Sequence, residues 1–598
     1  MVQPLHAGDR RLSSALAASD ALATPARASG AAAGPSRHSL LGPLLTVPVT
    51  AWLLLAFAAP FAVVVALSWQ EFPDPFAPLS MEPSAAQYDL VLGDPFYLRT
   101  QLETVLLALE VTALTVLMGF PLALWLARLP VRWRPLAFAV ILIPLLTNVI
   151  VRSLGIVLLL APDGLINQVL GLVGIPPFKN MLYTHGAVAI ALAQVFMPFL
   201  VLALYDSLQG VSPRVHEAAE SLGASRCVRF WTVDLPLALP GLRAGVVLVF
   251  IMSSTAYVSA SILGGKKIIV TGMLVWQEAL QNLNAPLSAA LALMMTATSI
   301  AAAALVWFLA GRLTPWRSGR PVAAWSVPAW ATRPLDLFGP VISKLLLAAA
   351  LVLLLLPLVL VCIQSFNDVP QATVAGFRAF TLRWYDMVIF GGVYTESFWL
   401  SVQLALASMA MALALAVPAA FALGRHRFGG LPWLAAFWAL PLSLPHVAIG
   451  VGMLRLLQTY TVLPPFLGLM AVHTVLLLPF CISLLQASVE QLDRAQEEAA
   501  ASLGADAPRR LFLVILPGLA PGLAAAAIMS FLLSFGEVTV TAFLTTARTI
   551  TLPVRIYAEA TFALEPTVHA VSALLILVTI GALLALNRLV RLDRLYAR

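Results

Sequence analysis

Two stretches of this sequence have a residue spacing that suits contact with another protein. Residues 217–236 read EAAESLGASRCVRFWTVDLP and residues 498–517 read EAAASLGADAPRRLFLVILP, at a constant offset of 281 residues. Glu-Ala-Ala followed by Ser-Leu-Gly predicts a short helix with small residues on one side, which ends at a glycine because glycine adopts positive φ without strain. A single copy could be a plain surface connector. Two copies at equivalent positions predict a partner with two lobes.

A second group of residues could bind a cation inside an apolar stretch. Glu537 falls in a long apolar segment, where an ionised carboxylate is costly unless it faces water or a partner. Its repeat-equivalent position lies next to Tyr257. A carboxylate beside an aromatic ring predicts a transient site for an ammonium group, through charge pairing and cation–π attraction. Alternatively, Glu537 pairs with Arg152 or Arg455 or makes a helix-packing hydrogen bond, and Arg152 is either an internal ion-pair member or a substrate contact.

The elements that carry these residues are long apolar helices. Of the 598 residues, 61% are hydrophobic and 11% are charged, against roughly a quarter charged in an ordinary soluble protein. Apolar segments of about 20 residues cross a bilayer as helices. The twelve candidate spans are residues 44–68, 104–127, 135–160, 183–205, 240–263, 287–311, 344–365, 398–423, 431–456, 466–486, 521–544 and 568–587. The sequence therefore predicts an all-α polytopic membrane protein.

The basic residues predict the orientation of these spans. With the N-terminus inside, the inside segments hold 24 of the 35 Lys and Arg, and the outside segments hold 8. Because Lys and Arg concentrate in cytoplasmic loops, both termini are predicted to be cytoplasmic. The same rule explains the net charge of +7 without a nucleic-acid partner.

The repeat divides the chain into two parallel, homologous halves of six helices each. Each repeated loop follows the fourth span of its half and precedes the fifth, so both loops face the same side. Residues 1–43 are rich in Ala, Ser and Arg without periodicity and are predicted to be a disordered cytoplasmic tail. The remaining predicted divisions are a first unit at 44–311, a cytoplasmic linker at 312–343 and a second unit at 344–598.

The repeated loops resemble the signature loop of binding-protein-dependent ABC importer permeases. Both copies have Glu-Ala-Ala, three residues, Gly, nine residues, an aliphatic residue, one residue and Leu-Pro. In that family the loop forms the coupling helix, which sits in a groove on the ATPase subunit. By this resemblance, which covers roughly 44–590, two permease units are fused in one chain. The implied ATPase-coupling residues are Glu217, Ala218, Ala219, Gly223, Glu498, Ala499, Ala500 and Gly504.

The resemblance also implies partners and a location. Two ATP-binding ABC subunits are expected on the cytoplasmic side of a bacterial inner membrane, and a periplasmic solute-binding protein on the other side. The chain has no G-x-x-x-x-G-K-[ST] loop, because the segment from Gly264 to Lys267 lacks the first glycine and the hydroxyl residue. ATP and magnesium are therefore expected only through the partner ATPase, with no cofactor, metal or catalytic residue in this chain. Closure of the ATPase dimer would draw the coupling helices together and switch the pathway from inward- to outward-facing.

Several short stretches resemble the subgroup that transports spermidine, putrescine and related small organic cations. They include Leu263–Gly265, Ser365–Asn367 and Thr551–Arg555. Neighbouring subgroups carry ferric iron, thiamine or aminophosphonates, and the iron and thiamine permeases are also often fused. The resemblance favours a polyamine or similar amine, with those three substrates as alternatives.

Two other classes of membrane protein compete with a permease. An ion-coupled secondary transporter would also have twelve spans and a parallel repeat, but it would be expected to carry coupling-ion carboxylates instead of matched cytoplasmic loops. A membrane-embedded enzyme has no support, because H-E-x-x-H, G-x-S-x-G and paired intramembrane aspartates do not occur. A requirement for an ATPase partner, as opposed to an ion gradient, separates the first two classes.

Overall fold

The computed structural model describes residues 41–72, 82–265, 267–312, 329–460, 464–563 and 565–590. The predicted N-terminal tail lies outside the described residues except for its last three positions, and so does half of the predicted linker, residues 313–328. Within the described ranges the chain is built from helices, and β pairing is limited to a single bridge between Asn367 and Phe380.

The first half contains the helices α1 to α14. They are α1 (Leu41–Leu53), α2 (Ala59–Ser68), α3 (Ala86–Gly93), α4 (Pro95–Arg128), α5 (Arg134–Leu146), α6 (Val149–Leu160), α7 (Leu165–Leu172), α8 (His185–Gln209), α9 (Pro213–Ser221), α10 (Arg226–Arg229), α11 (Leu235–Ser254), α12 (Val258–Gly264), α13 (Thr271–Leu280) and α14 (Ala285–Arg312). π-helical turns join α1 to α2 (Leu54–Ala58) and α10 to α11 (Phe230–Asp234).

The second half repeats this order. Its helices are α15 (Ala329–Gln364), α16 (Arg383–Phe390), α17 (Val393–Arg425), α18 (Leu431–Ser443), α19 (His446–Tyr460), α20 (Pro465–Gln491), α21 (Arg494–Ser502), α22 (Ala507–Arg510), α23 (Leu516–Phe535), α24 (Thr541–Leu544), α25 (Leu552–Ala558) and α26 (Thr567–Val590). A π-helical turn at Leu511–Ile515 leads into α23, and another at Glu559–Ala563 follows α25.

The described helices supply eleven stretches that are long and apolar enough to cross a membrane. A twelfth is the pair Leu431–Leu442 and His446–Thr459, which is bent by 91°. The first half contributes six stretches, and the second half contributes five and the bent pair. The predicted fold class, an all-α membrane protein of two six-helix halves, is confirmed.

Four predicted spans each contain two helices instead of one. The segment 240–263 breaks between α11 and α12, and the segment 521–544 breaks between α23 and α24. The segment 135–160 breaks between α5 and α6, and the segment 431–456 breaks between α18 and α19. These last two breaks each follow a proline, Pro144 and Pro441, that stands inside the first helix of its pair. In the first half Asn148 then restarts the helix, because its side chain accepts a hydrogen bond from the Ile150 amide at 2.7 Å.

The first span of each half packs against the other half. Helices α1 and α2 contact α17 and α19, whereas α15 contacts α4 and α6. Two glycines permit the closest approaches: a Cβ at Gly155 would lie 2.3 Å from the carbonyl oxygen of Pro357, and a Cβ at Gly452 would lie 2.3 Å from that of Pro60. Both glycines and both prolines are 297 residues apart in sequence. The two halves therefore pack against each other through equivalent contacts.

Candidate functional site

The two repeated loops fold into matched helices, α9 and α21. Each helix begins at a polar cap at the same offset of 281 residues. The Ser212 side chain accepts a hydrogen bond from the Arg214 amide, and the Asp493 carboxylate accepts one from the Ala495 amide at 2.9 Å. Such caps satisfy amide groups that have no partner within the helix.

The two helices also end in the same way. The Ala224 amide donates to the Ala219 carbonyl, and the Ala505 amide donates to the Ala500 carbonyl, both at 3.0 Å. This bond belongs to the Schellman motif, which requires a residue of positive φ just after the helix. Gly223 and Gly504 occupy that position, with φ of 77° and 84°. The spacing from the alanines to the glycine is therefore set by a helix stop.

The tip of each repeated loop is an exposed leucine that sequence reasoning missed. Leu222 is 88% exposed and Leu503 is 89% exposed. A lone exposed leucine is unremarkable, but these two stand at the same register, directly before the glycine of each helix stop. The signal was present in the sequence, because both copies read Ser-Leu-Gly. Each loop therefore carries an exposed apolar side chain at the same position.

A cavity of about 340 Å³ lies between the two halves, where several helices break. Residues from α8, α11 and the start of α12 line it on one side, and residues from α18, α19, α20 and the end of α23 line it on the other. Most of the lining is apolar, with Phe196, Phe199 and Phe480 among the walls. Tyr257 and Glu537, which the sequence predicted to lie together, both line this cavity.

Glu537 does not lie mid-way along a membrane helix, as the segment 521–544 predicted. Helix α23 ends at Phe535, and Glu537 stands in the turn before α24. Its carboxylate accepts hydrogen bonds from the amides of Val540 at 2.9 Å and Thr541 at 3.0 Å, and from the Thr541 hydroxyl at 2.5 Å. Three donors thus satisfy the carboxylate oxygens. The helix break therefore gives the carboxylate the partners that an apolar helix would deny it.

Tyr257 stands at the equivalent break of the first half. Helix α11 ends at Ser254, and Tyr257 precedes α12. Its ring is buried and packs edge-on against Tyr557, with 6.2 Å between ring centroids. Its hydroxyl has no hydrogen-bond partner among the described residues. A buried hydroxyl usually finds a partner, so this group on the cavity wall can still bind a polar atom.

Arg152 lies beside the cavity without lining it. The residue is buried on α6, and its Nη1 donates to the carbonyl of Val195 at 3.3 Å. Val195 itself lines the cavity. His473 on α20 contacts the residues that flank Glu537. Its ring nitrogens lie 2.7 Å from the Ser534 hydroxyl and 2.9 Å from the Thr541 hydroxyl.

The two halves also touch toward the end of the bundle opposite the repeated loops. The carboxylate of Asp163, which follows α6, accepts hydrogen bonds from the amides of Ala375 at 3.1 Å and Gly376 at 3.2 Å. The hydroxyls of Ser261 and Tyr557 are 3.0 Å apart. Burial raises the pKa of Tyr557, so this hydroxyl keeps its proton. These contacts hold the halves together on one side of the cavity.

A family model matches both halves of the chain. The model of the binding-protein-dependent transport system inner membrane component matches residues 119–319 and 412–592. Each match contains one repeated loop, with its helix and its leucine tip.

Curated relatives of this chain are about half its length. The spermidine/putrescine transport system permease protein PotB of Escherichia coli (strain K12) is 30% identical over 271 residues, which cover 45% of this chain and 97% of the relative. PotB of Haemophilus influenzae is 31% identical over 207 residues, covering 34% of this chain and 72% of the relative. The permease protein PotC of Escherichia coli (strain K12) is 27% identical over 205 residues, covering 34% and 77%.

Proposed function

Because this chain belongs to the family of binding-protein-dependent transport system inner membrane components and is the permease of an ABC importer, we propose that it carries polyamines or similar small organic cations. Two permease units are fused in this multi-pass inner membrane protein. In the proposal a periplasmic solute-binding protein delivers the cation. Two ATP-binding subunits dock on the cytoplasmic side, where both termini lie.

The observation that carries the substrate proposal is the cavity between the halves. Glu537 is the only Asp, Glu, Lys or Arg among its lining residues. One carboxylate among aromatic walls suits an ammonium group on an alkyl chain. An anionic aminophosphonate would be repelled, and ferric iron would require several oxygen ligands. The names of the relatives, all spermidine/putrescine permeases, support the same choice.

Helices α9 and α21 are the proposed coupling helices. Their exposed faces and leucine tips would enter one groove on each ATPase subunit, with Glu217–Gly223 and Glu498–Gly504 as the docking elements. ATP and magnesium would bind only to the ATPase. When the ATPase subunits close, the coupling helices approach each other and the two bundles rotate as rigid bodies. The contacts of Asp163 and Tyr557 then separate and open the cavity to the opposite side.

Within the cavity, each side chain has a separate proposed role. The Glu537 carboxylate attracts one ammonium group at a time, and the Tyr257 ring faces its alkyl neighbour while the free hydroxyl accepts a hydrogen bond. Arg152 remains a predicted pathway residue that acts on the cavity from behind Val195. Because the site offers one negative charge, binding stays weak enough for the substrate to leave.

Uptake of labelled spermidine and putrescine tests this proposal. A strain without this gene is complemented with the wild-type chain, with Glu537→Gln or with Glu103→Gln as a matched control at the exposed end of α4. We expect wild type and Glu103→Gln to restore uptake equally. Glu537→Gln should lower it roughly 10- to 100-fold, because a desolvated cation contact contributes about 2 kcal/mol.

Uptake that stays absent with the wild-type chain, while its ATPase partner is present, would show that the polyamine proposal is wrong. Iron, thiamine and aminophosphonate would then be assayed in the same strains. Equal uptake by wild type and Glu537→Gln would remove the proposed role of the carboxylate alone.

A further inference from the structure

In the first half, one buried carboxylate joins three elements at the base of the coupling helix. Arg128 ends α4, and its Nη2 donates to both carboxylate oxygens of Asp234, at 2.9 and 2.8 Å. The His216 ring on α9 lies 2.9 Å from the same carboxylate. The Asp234 side chain is only 6% exposed. A buried charge that loses its partner is strongly destabilising, so this carboxylate holds α4, α9 and the start of α11 together.

The second half makes an equivalent connection with its charge in another place. Ile515 stands where the first half has Asp234, and Glu497 stands where it has His216. Arg425 ends α17 as Arg128 ends α4, and its Nη2 lies 2.9 Å from the Glu497 carboxylate. The same nitrogen donates to the carbonyl of Leu492 at 3.0 Å, just before α21. The carboxylate has moved from the membrane helix to the coupling helix, and the arginine has stayed.

Ordinary packing does not hold the coupling helices in place. No described side chain of α9 or α21 is buried. Most helices in proteins are stabilised by packing of an apolar face, and these two lack a fully buried one, so their polar contacts matter more. In the first half the second span reaches α9 through Arg128, Asp234 and His216, whereas in the second half Arg425 contacts Glu497 on α21 directly. An ion pair of Glu220 with Arg229 also ties α9 to α10. Polar contacts of this kind therefore connect each coupling helix to the second span of its half.

We propose that Asp234 and Glu497 are positioning residues that transmit motion from the ATPase to the membrane helices. We call this connection the joint: it consists of Arg128, Asp234 and His216 in the first half and of Arg425 and Glu497 in the second. The two joints place their one negative charge on different elements. This inference rests on the proposed role of α9 and α21 as coupling helices. It predicts that loss of a joint leaves the ATPase bound but weakens its connection to the substrate pathway.

The first experiment breaks the joint in the first half. The complex of the full chain, its ATPase and its binding protein is reconstituted in vesicles, where spermidine uptake and ATP hydrolysis are measured together. Asp234→Ile should lower uptake at least 10-fold while the ATPase still co-purifies, so that uptake per ATP hydrolysed falls. A purely structural role would lower both rates in proportion to folded protein. Glu103→Gln, which breaks the exposed pair of Arg99 and Glu103, is the control.

The second experiment moves the charge instead of removing it. The double variant His216→Glu with Asp234→Ile gives the first half the residues of the second. We expect its uptake per ATP to return to within about threefold of wild type. The reciprocal pair, Glu497→His with Ile515→Asp, should rescue Glu497→His in the same way. If Asp234→Ile alone fails to accumulate in the membrane, uptake per ATP in the double variant His216→Glu with Asp234→Ile still tests the proposed role of the charge.

Two results would overturn the inference. One is unchanged uptake per ATP in Asp234→Ile. The other is a charge-relocation variant that elutes as folded protein but remains as impaired as the single variant. Failure of the underlying coupling assignment looks different: in that case the ATPase would stay bound when Leu222 and Leu503 are replaced by aspartate.

Discussion

Replacement of Gly223 and Gly504 by valine is expected to abolish substrate uptake while the chain still folds in the membrane. Both glycines have positive φ, a conformation that costs L-residues roughly 1–2 kcal/mol and disfavours β-branched residues most. No atom lies within 4 Å of a Cβ at either position, so the penalty is a backbone effect and not a clash. We expect the strain to be relieved by unwinding of the helix stop, which would displace the neighbouring leucine from its proposed docking position.

The measurement is spermidine uptake in the complemented deletion strain, together with the amount of folded chain in the membrane. Gly430→Val is the matched control: its φ is 93°, no atom lies within 4 Å of its Cβ, and it stands in another loop at the same end of the bundle. The control should transport normally. Normal uptake by the Gly223→Val and Gly504→Val double variant would contradict the coupling assignment.

The second large effect is expected from the leucine tips. Burial of a leucine side chain contributes about 1.5–3 kcal/mol, so Leu222→Asp or Leu503→Asp should weaken ATPase binding at that loop by roughly 10- to 150-fold. The double variant should lose the ATPase on purification and lose uptake with it. Its own fold should not change, because both side chains already face solvent. Co-purification of the ATPase with the solubilised chain measures the effect.

Leu172→Asp is the control for the leucine tips. Leu172 ends α7 and is 88% exposed, like Leu222, but α7 precedes the fourth span and is not part of either repeated loop. This variant should retain the ATPase fully. If Leu222→Asp and Leu503→Asp together retain it as well as Leu172→Asp does, the leucine tips are not the docking surface.

The local structure of the two repeated loops could be predicted from sequence because every feature that shapes it is local. Polar cap, alanine pair, leucine and glycine all fall within about a dozen residues, and the same local rules act in both copies. A single loop could be a plain surface connector, but a chance pattern is not expected twice at topologically equivalent positions. The number of spans followed from hydropathy for a similar reason, because each apolar segment reports its own length.

The helix breaks that build the cavity could not be predicted in this way. The segments around Asn148 and Glu537 are apolar on average in spite of these polar residues, so the sequence predicted one span for each segment. At the first break the side-chain amide of Asn148 also makes a distant contact, because it donates to the Gly536 carbonyl at 3.2 Å. Two other features are also non-local: the packing of each first span against the other half, and the contact between Arg128 and Asp234. A single sequence contains no pattern that predicts a contact between residues over a hundred positions apart.

In the proposed complex, one chain presents two equivalent docking loops to two ATPase subunits. The most direct test is the native mass of the complex purified with the wild-type chain in the absence of substrate. The predicted result is the mass of one chain and two ATPase subunits, with both subunits lost in the Leu222→Asp and Leu503→Asp double variant. A complex with a single ATPase subunit, or two subunits that remain bound to the double variant, would contradict this proposal.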